Sequence, residues 1–139
     1  MKRLYKIIAL IIVLSMLLST CAFAAETRSS AYLTTYCGVL SRTSTGRLLI
    51  EFDVTGTRTM TAIGASIVRV YKSNGTLVKT YNYTDTGCSG MLAYNTIFHA
   101  SSLTYTGVAG ETYYCIITFY ARNANGYDSK NYATHSCTL

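Results

Sequence analysis

The sequence has no proline and no tryptophan, and it carries only six acidic residues and two histidines in 139 positions. Each shortage removes something. Without proline, strand edges lack a residue that blocks further pairing. His99 and His135, with a few scattered carboxylates, give acid–base or nucleophilic catalysis little to work with. No G-x-S-x-G, H-E-x-x-H or glycine-rich phosphate loop occurs, so no catalytic residue is assigned and no cofactor is expected. Asp53, Asp85 and Asp128 are too scattered for a calcium loop, and the cysteine spacing matches no zinc pattern, so no metal is expected either. Beyond the basic start at Lys2, Arg3 and Lys6, the nine remaining basic residues form no run. A nucleic-acid footprint needs a clustered basic stripe, so that partner is excluded. The length allows one domain.

Long apolar runs are also scarce. The one long run, Ile7 to Leu18 with Ser15 its single polar residue, follows a basic start at Lys2, Arg3 and Lys6 and precedes a small-residue stretch with Ala22 and Ala24 in an A-x-A pattern. It falls short of the roughly 20 residues a membrane-spanning helix needs. Residues 1–25 therefore read as a secretory signal peptide cut after Ala24 or Ala25, leaving 26–139 as an exported domain with no integral membrane segment. The alternative is a lipid anchor at Cys21, although Thr20 is bulkier than the Gly or Ala such a lipidation box favours. Loss of Lys2, Arg3 and Lys6 leaves nine basic residues against six acidic ones, a spread charge of about +3 that favours solubility. Cys37, Cys88, Cys115 and Cys137 remain. An even count in an exported chain suggests up to two disulfides, with three possible connectivities.

What is present is strand patterning. Leu48, Ile50, Phe52 and Val54 alternate with Arg47, Glu51 and Asp53, the period-two signal of a half-buried strand. Similar segments cover about 31–41, 66–72, 76–82, 96–105, 112–122 and 127–137, separated by turn chemistry at residues 43–46, 73–75, 107–110 and 123–126. The expected fold is all-β: a single antiparallel β-sandwich of about seven strands. Ser73-Asn74-Gly75 suits a three-residue hairpin loop, setting Val70 opposite Val78 and Tyr71 opposite Leu77. The same loop at Ala124-Asn125-Gly126 sets Asn123 opposite Tyr127, Arg122 opposite Asp128 and His135 opposite Cys115.

Gly110-Glu111-Thr112-Tyr113-Tyr114-Cys115 resembles the start of strand F in immunoglobulin-like domains, where a tyrosine two residues before a cysteine makes a structural corner. Phe119-x-Ala121-x-Asn123-x-x-Gly126 resembles the F–G hairpin of fibronectin type III modules. Phe52-Asp53-Val54-Thr55-Gly56-Thr57, Ile63-Gly64-Ala65, Tyr94-Asn95 with His99, and Thr118 to Asn123 resemble segments of a group of short secreted bacterial proteins of unknown function. The resemblance implies an immunoglobulin-like topology and brings no activity with it. It departs from the immunoglobulin pattern in having neither a cysteine on strand B nor a core tryptophan. In that topology Cys37 on the first strand approaches the end of the last, so Cys37–Cys137 is the favoured disulfide, and Cys88 falls at the opposite pole.

With Val68, Val70, Val78, Ile117 and Phe119 facing inward, Arg69, Tyr71, Lys79, Tyr81, Tyr114, Tyr120, Lys130 and Tyr132 are expected to share one outer face with Ile67 and Ile116. Tyrosine offers large amphipathic contact area at low entropic cost. It also has high strand propensity, and tyrosine–lysine packing stabilises a sheet with no ligand. Tyr113 stands apart as the corner residue, and His99, in phase with Leu103 and Tyr105, is expected to pack or cap. The resulting expectation is a non-catalytic extracellular binding or adhesion module for a protein or glycan. A secreted effector, such as a small toxin-like protein or enzyme inhibitor acting through its loops, is the alternative. Self-association through the proline-free edges is a further expectation.

Overall fold

The computed structural model describes residues 30–139; the expected signal peptide and Cys21 lie outside the described residues. The strands are β1 (Leu33–Ser44), β2 (Arg47–Lys72), β3 (Leu77–Asn82), β4 (Leu92–Thr106), β5 (Thr112–Asn123), β6 (Gly126–Ala133) and β7 (Cys137–Thr138). A short 3-10 turn, Ser89–Met91, precedes β4. The described chain is all-β, and its seven antiparallel strands form one sheet curled into a half-barrel.

Strand β2 organises everything. Its first half lies between β1 and β4, residues 62–64 lie between β4 and β5, and residues 67–71 lie between β5 and β3. The segments 47–54 and 66–72 read from sequence as separate strands are two ends of this one element. Residues 55–65 hid the connection because Met60, Ala62, Ile63 and Ala65 are all buried, which breaks simple alternation. The ladder slips between Thr55 and Met60 against β4, and between Ala65 and Ile67 against β5. Such bulges bend a strand and increase its twist. The curl brings the inner faces together, so that Phe52 in the first half lies 6.3 Å from Phe119 on β5, which in turn lies 5.3 Å from Tyr36 on β1. Leu48, Ile50, Val54, Val68, Val70, Ile117 and Phe119 are wholly buried in one core. Each such side chain contributes about 1.5–3 kcal/mol relative to exposure.

The β2–β3 loop forms as expected. Gly75 takes φ +87°, the Lys72 N–H donates to Thr76 O, and Tyr71 pairs with Leu77. The expected Val70–Val78 pair does not form. A register slip between Val70 and Tyr71, which leaves Val78 on β3 without a cross-strand partner, sets Val70 opposite Lys79 and Val68 opposite Tyr81. The β5–β6 loop is one residue shorter than expected. Asn123 pairs with Gly126, Arg122 with Tyr127, and Ala121 with Asp128. Gly126, at φ +152°, stays in the ladder instead of closing the loop, and Asn123 Oδ1 accepts the Asn125 N–H across the two-residue turn. Thr134, not His135, lies beside Cys115: its hydroxyl accepts the Cys115 N–H, and its own N–H donates to Cys115 O.

At the start of β5, Tyr113 is buried and its hydroxyl accepts the Val108 N–H, 2.9 Å away and five residues upstream. That is the expected corner. The expected Cys37–Cys137 bond is absent, and all four described cysteines are free thiols. Cys37 lies level with Tyr132, its Sγ 3.8 Å from that hydroxyl, whereas Cys137 pairs with Tyr113 at the end of the sheet.

Candidate binding face

Residues directly opposite in an antiparallel ladder share a face. Across the second half of β2 and β5, the outward pairs are Ile67 with Thr118, Arg69 with Ile116, and Tyr71 with Tyr114. The Tyr71 and Tyr114 rings stack at 5.2 Å with 11° between their planes. Beside them Arg69 Nη1 donates to the Thr118 hydroxyl at 3.5 Å, and that hydroxyl donates to Asn131 Oδ1 at 2.8 Å. Tyr120 is on the same face, opposite Gly64, with its ring 5.9 Å from Tyr127. Four of the eight expected face residues, Arg69, Tyr71, Tyr114 and Tyr120, therefore share this outer face.

The other four are on the opposite side. Tyr81 is opposite inward Val68, packs against the core and donates its hydroxyl to Thr104 O at 3.0 Å. Burial raises its pKa above the usual tyrosine range. Lys79 follows it, with Nζ 5.2 Å from the Tyr81 ring centre. On β6, Tyr132 is opposite Ile117 and Lys130 opposite Phe119. Tyr132 packs edge-on against Tyr36 and Phe119, and its pKa is raised by its bond to the Cys37 thiol and by burial. Lys130 pairs with Asp128 at 3.7 Å, and Asp128 also accepts the Ser30 hydroxyl.

Sequence reasoning missed a second row. Tyr94 on β4, Ala62 on β2, Arg122 on β5 and Tyr127 on β6 lie side by side on the outer face. Tyr94 is 61% and Tyr127 68% exposed, at the two ends of a row whose middle is Arg122 and the small, buried Ala62. The two-residue turn was the signal that would have revealed Tyr127. The outer face thus has a stacked Tyr71–Tyr114 pair near one end and a Tyr94, Tyr120, Arg122 and Tyr127 group at the other.

Other reactive groups are engaged structurally. His99 points inward opposite Val54, 6.4 Å from the Phe52 ring, with Nε2 2.8 Å from Gly90 O. Cys115 is wholly enclosed, and desolvation pushes its pKa up to about 12. Across the first half of β2, an open depression of about 580 Å³ is lined by Cys37, Val39, Glu51, Asp53 and the small residues Ala100 to Ser102. Among the described residues, no three His, Cys, Asp or Glu side chains converge as metal ligands.

No family model, curated protein or solved structure matches the chain.

Proposed function

We propose that this is a secreted, non-catalytic binding module, an immunoglobulin-like sandwich joined through β2. Its outer tyrosine–arginine face takes an extracellular protein or glycan. The supporting observation is the stacked Tyr71–Tyr114 pair beside Arg69, in line with Tyr120, Arg122 and Tyr127 on one side of the sheet. Rigid aromatic rings interleaved with guanidinium groups are a composition that recognition surfaces favour. The sandwich reading draws on two features. The strands divide along β2 into a β1–β2–β4 group and a β3–β2–β5–β6 group whose inner faces meet, and Tyr113 makes a corner bond upstream. The secreted assignment draws on the signal pattern of residues 1–25.

The test is retention of the purified, labelled protein on intact cells and on a panel of immobilised neutral and acidic glycans. Replacing Tyr71, Tyr114 and Tyr120 together by serine should abolish retention while the far-UV circular dichroism stays that of a folded sheet. Undiminished retention by the triple variant rejects this face. Loss confined to substitutions in Asn123–Gly126 would favour a loop-driven effector instead.

A further inference from the structure

Strands β1, β3, β4 and β6 each pair with a neighbouring strand on one side only. Three of them carry the charges that discourage further pairing: Arg42 on β1, Lys79 on β3, Asp128 and Lys130 on β6. Strand β4, at 15 residues the longest of the four, has no acidic, lysine or arginine side chain at all. From Phe98 to Thr106 it keeps unbroken register with β2, and the ladder continues as the Gly107 N–H donates to Gly46 O. Backbone groups alternate sides along an antiparallel strand. Residues 101, 103 and 105 therefore face β2, while Phe98, Ala100, Ser102 and Thr104 face away. At the two ends of this stretch side chains occupy the free carbonyls: Thr96 Oγ1 donates to Phe98 O, and Tyr81 Oη to Thr104 O. Between them, the N–H and C=O groups of Ala100 and Ser102 point away from β2, on a side where β4 pairs with no strand among the described residues.

We propose that this opening pairs with its own copy, giving a two-fold homodimer in which the Phe98–Thr104 segments run antiparallel about Ser101. That register sets Ala100 opposite Ser102 of the second copy, and Ser102 opposite Ala100, so the four open groups satisfy one another. Only small side chains meet at the axis, and no like charges do. An antiparallel strand pair is two-fold by nature, so a single segment supplies both halves of an isologous interface. The two β1–β2–β4 groups then join into one continuous sheet. This inference is independent of the tyrosine face.

Sedimentation velocity across a wide range of protein concentration tests it. The purified protein should show a reversible monomer–dimer equilibrium. Ala100→Lys with Ser102→Lys places lysines directly opposite each other twice, and should raise the dimer dissociation constant about tenfold or more. Ala100→Glu with Ser102→Glu should do the same. Mixing the two double variants should restore dimers as a heterodimer, a result that misfolded chains would not give. Ala100→Pro, which deletes one open N–H, should also weaken association. A protein that stays monomeric throughout, or dimers indifferent to both double variants, overturns the proposal.

Discussion

The two halves of β2 have the same kind of interior and different exteriors. Inside, Leu48, Ile50, Phe52 and Val54 in one half correspond to Val68 and Val70 in the other, all buried in the same core. Outside, the first half shows Glu51 and Asp53 beside Cys37, Val39, Ala100 and Ser102. The second shows Ile67, Arg69 and Tyr71 beside Tyr114, Ile116 and Thr118. Folding requires only that an outer face tolerate water, and the first half meets that requirement with acidic and small groups around the isolated apolar side chains Val39 and Phe98. The aromatic and basic exterior of the second half exceeds it, and the binding proposal rests on that excess.

The comparison can be broken from the inside first. Phe52→Ala and Phe119→Ala should each cost about 3–5 kcal/mol in denaturant unfolding, since both rings fill the shared core. If one were nearly free, the halves would not share an interior. Alkaline pH gives the next effect. Because burial lifts the Cys115 thiol to about 12, the unfolded chain loses that proton at lower pH than the folded one does. Stability should therefore be intact below the ordinary thiol range of about 8.5, then fall by about 1.4 kcal/mol per pH unit above it. Cys115→Val should remove this part of the slope in unfolding curves taken on both sides of that range. Tyr113→Phe should cost about 1 kcal/mol, the value of its bond from the Val108 N–H. The smallest effect belongs to the first half's exterior: Glu51→Gln with Asp53→Asn should move stability by less than about 0.5 kcal/mol.

Much of the fold was legible because a strand's period is two, and so were the errors. Inward positions in both halves of β2 fall on even numbers, although the strand has two slips between them. An even number of slips restores the face, and the sequence reading was right without detecting either. Against β3 there is a single slip, and the β5–β6 loop is one residue shorter than expected, so each changes the register by one. The bulge at Val78 sends Tyr81 inward, and Gly126 held in the ladder turns Tyr132 and Lys130 to the inner side. A one-residue shift reverses every later side chain, so half of the expected face was lost. The loops named their turn residues plainly, but whether Gly126 closes a loop or extends a strand depends on a φ that composition does not encode. Tyr94 escaped because Leu92–Asn95 lacked alternation and lay ahead of the expected strand start at 96.

Whether the second half's exterior is the binding face is decided by parallel retention of two variants on the same cell and glycan surfaces. One variant is altered at Tyr71, Tyr114 and Tyr120, the other at Glu51 and Asp53. The first should lose binding and the second keep it. Equal retention by both, or loss only in the second, would contradict the assignment.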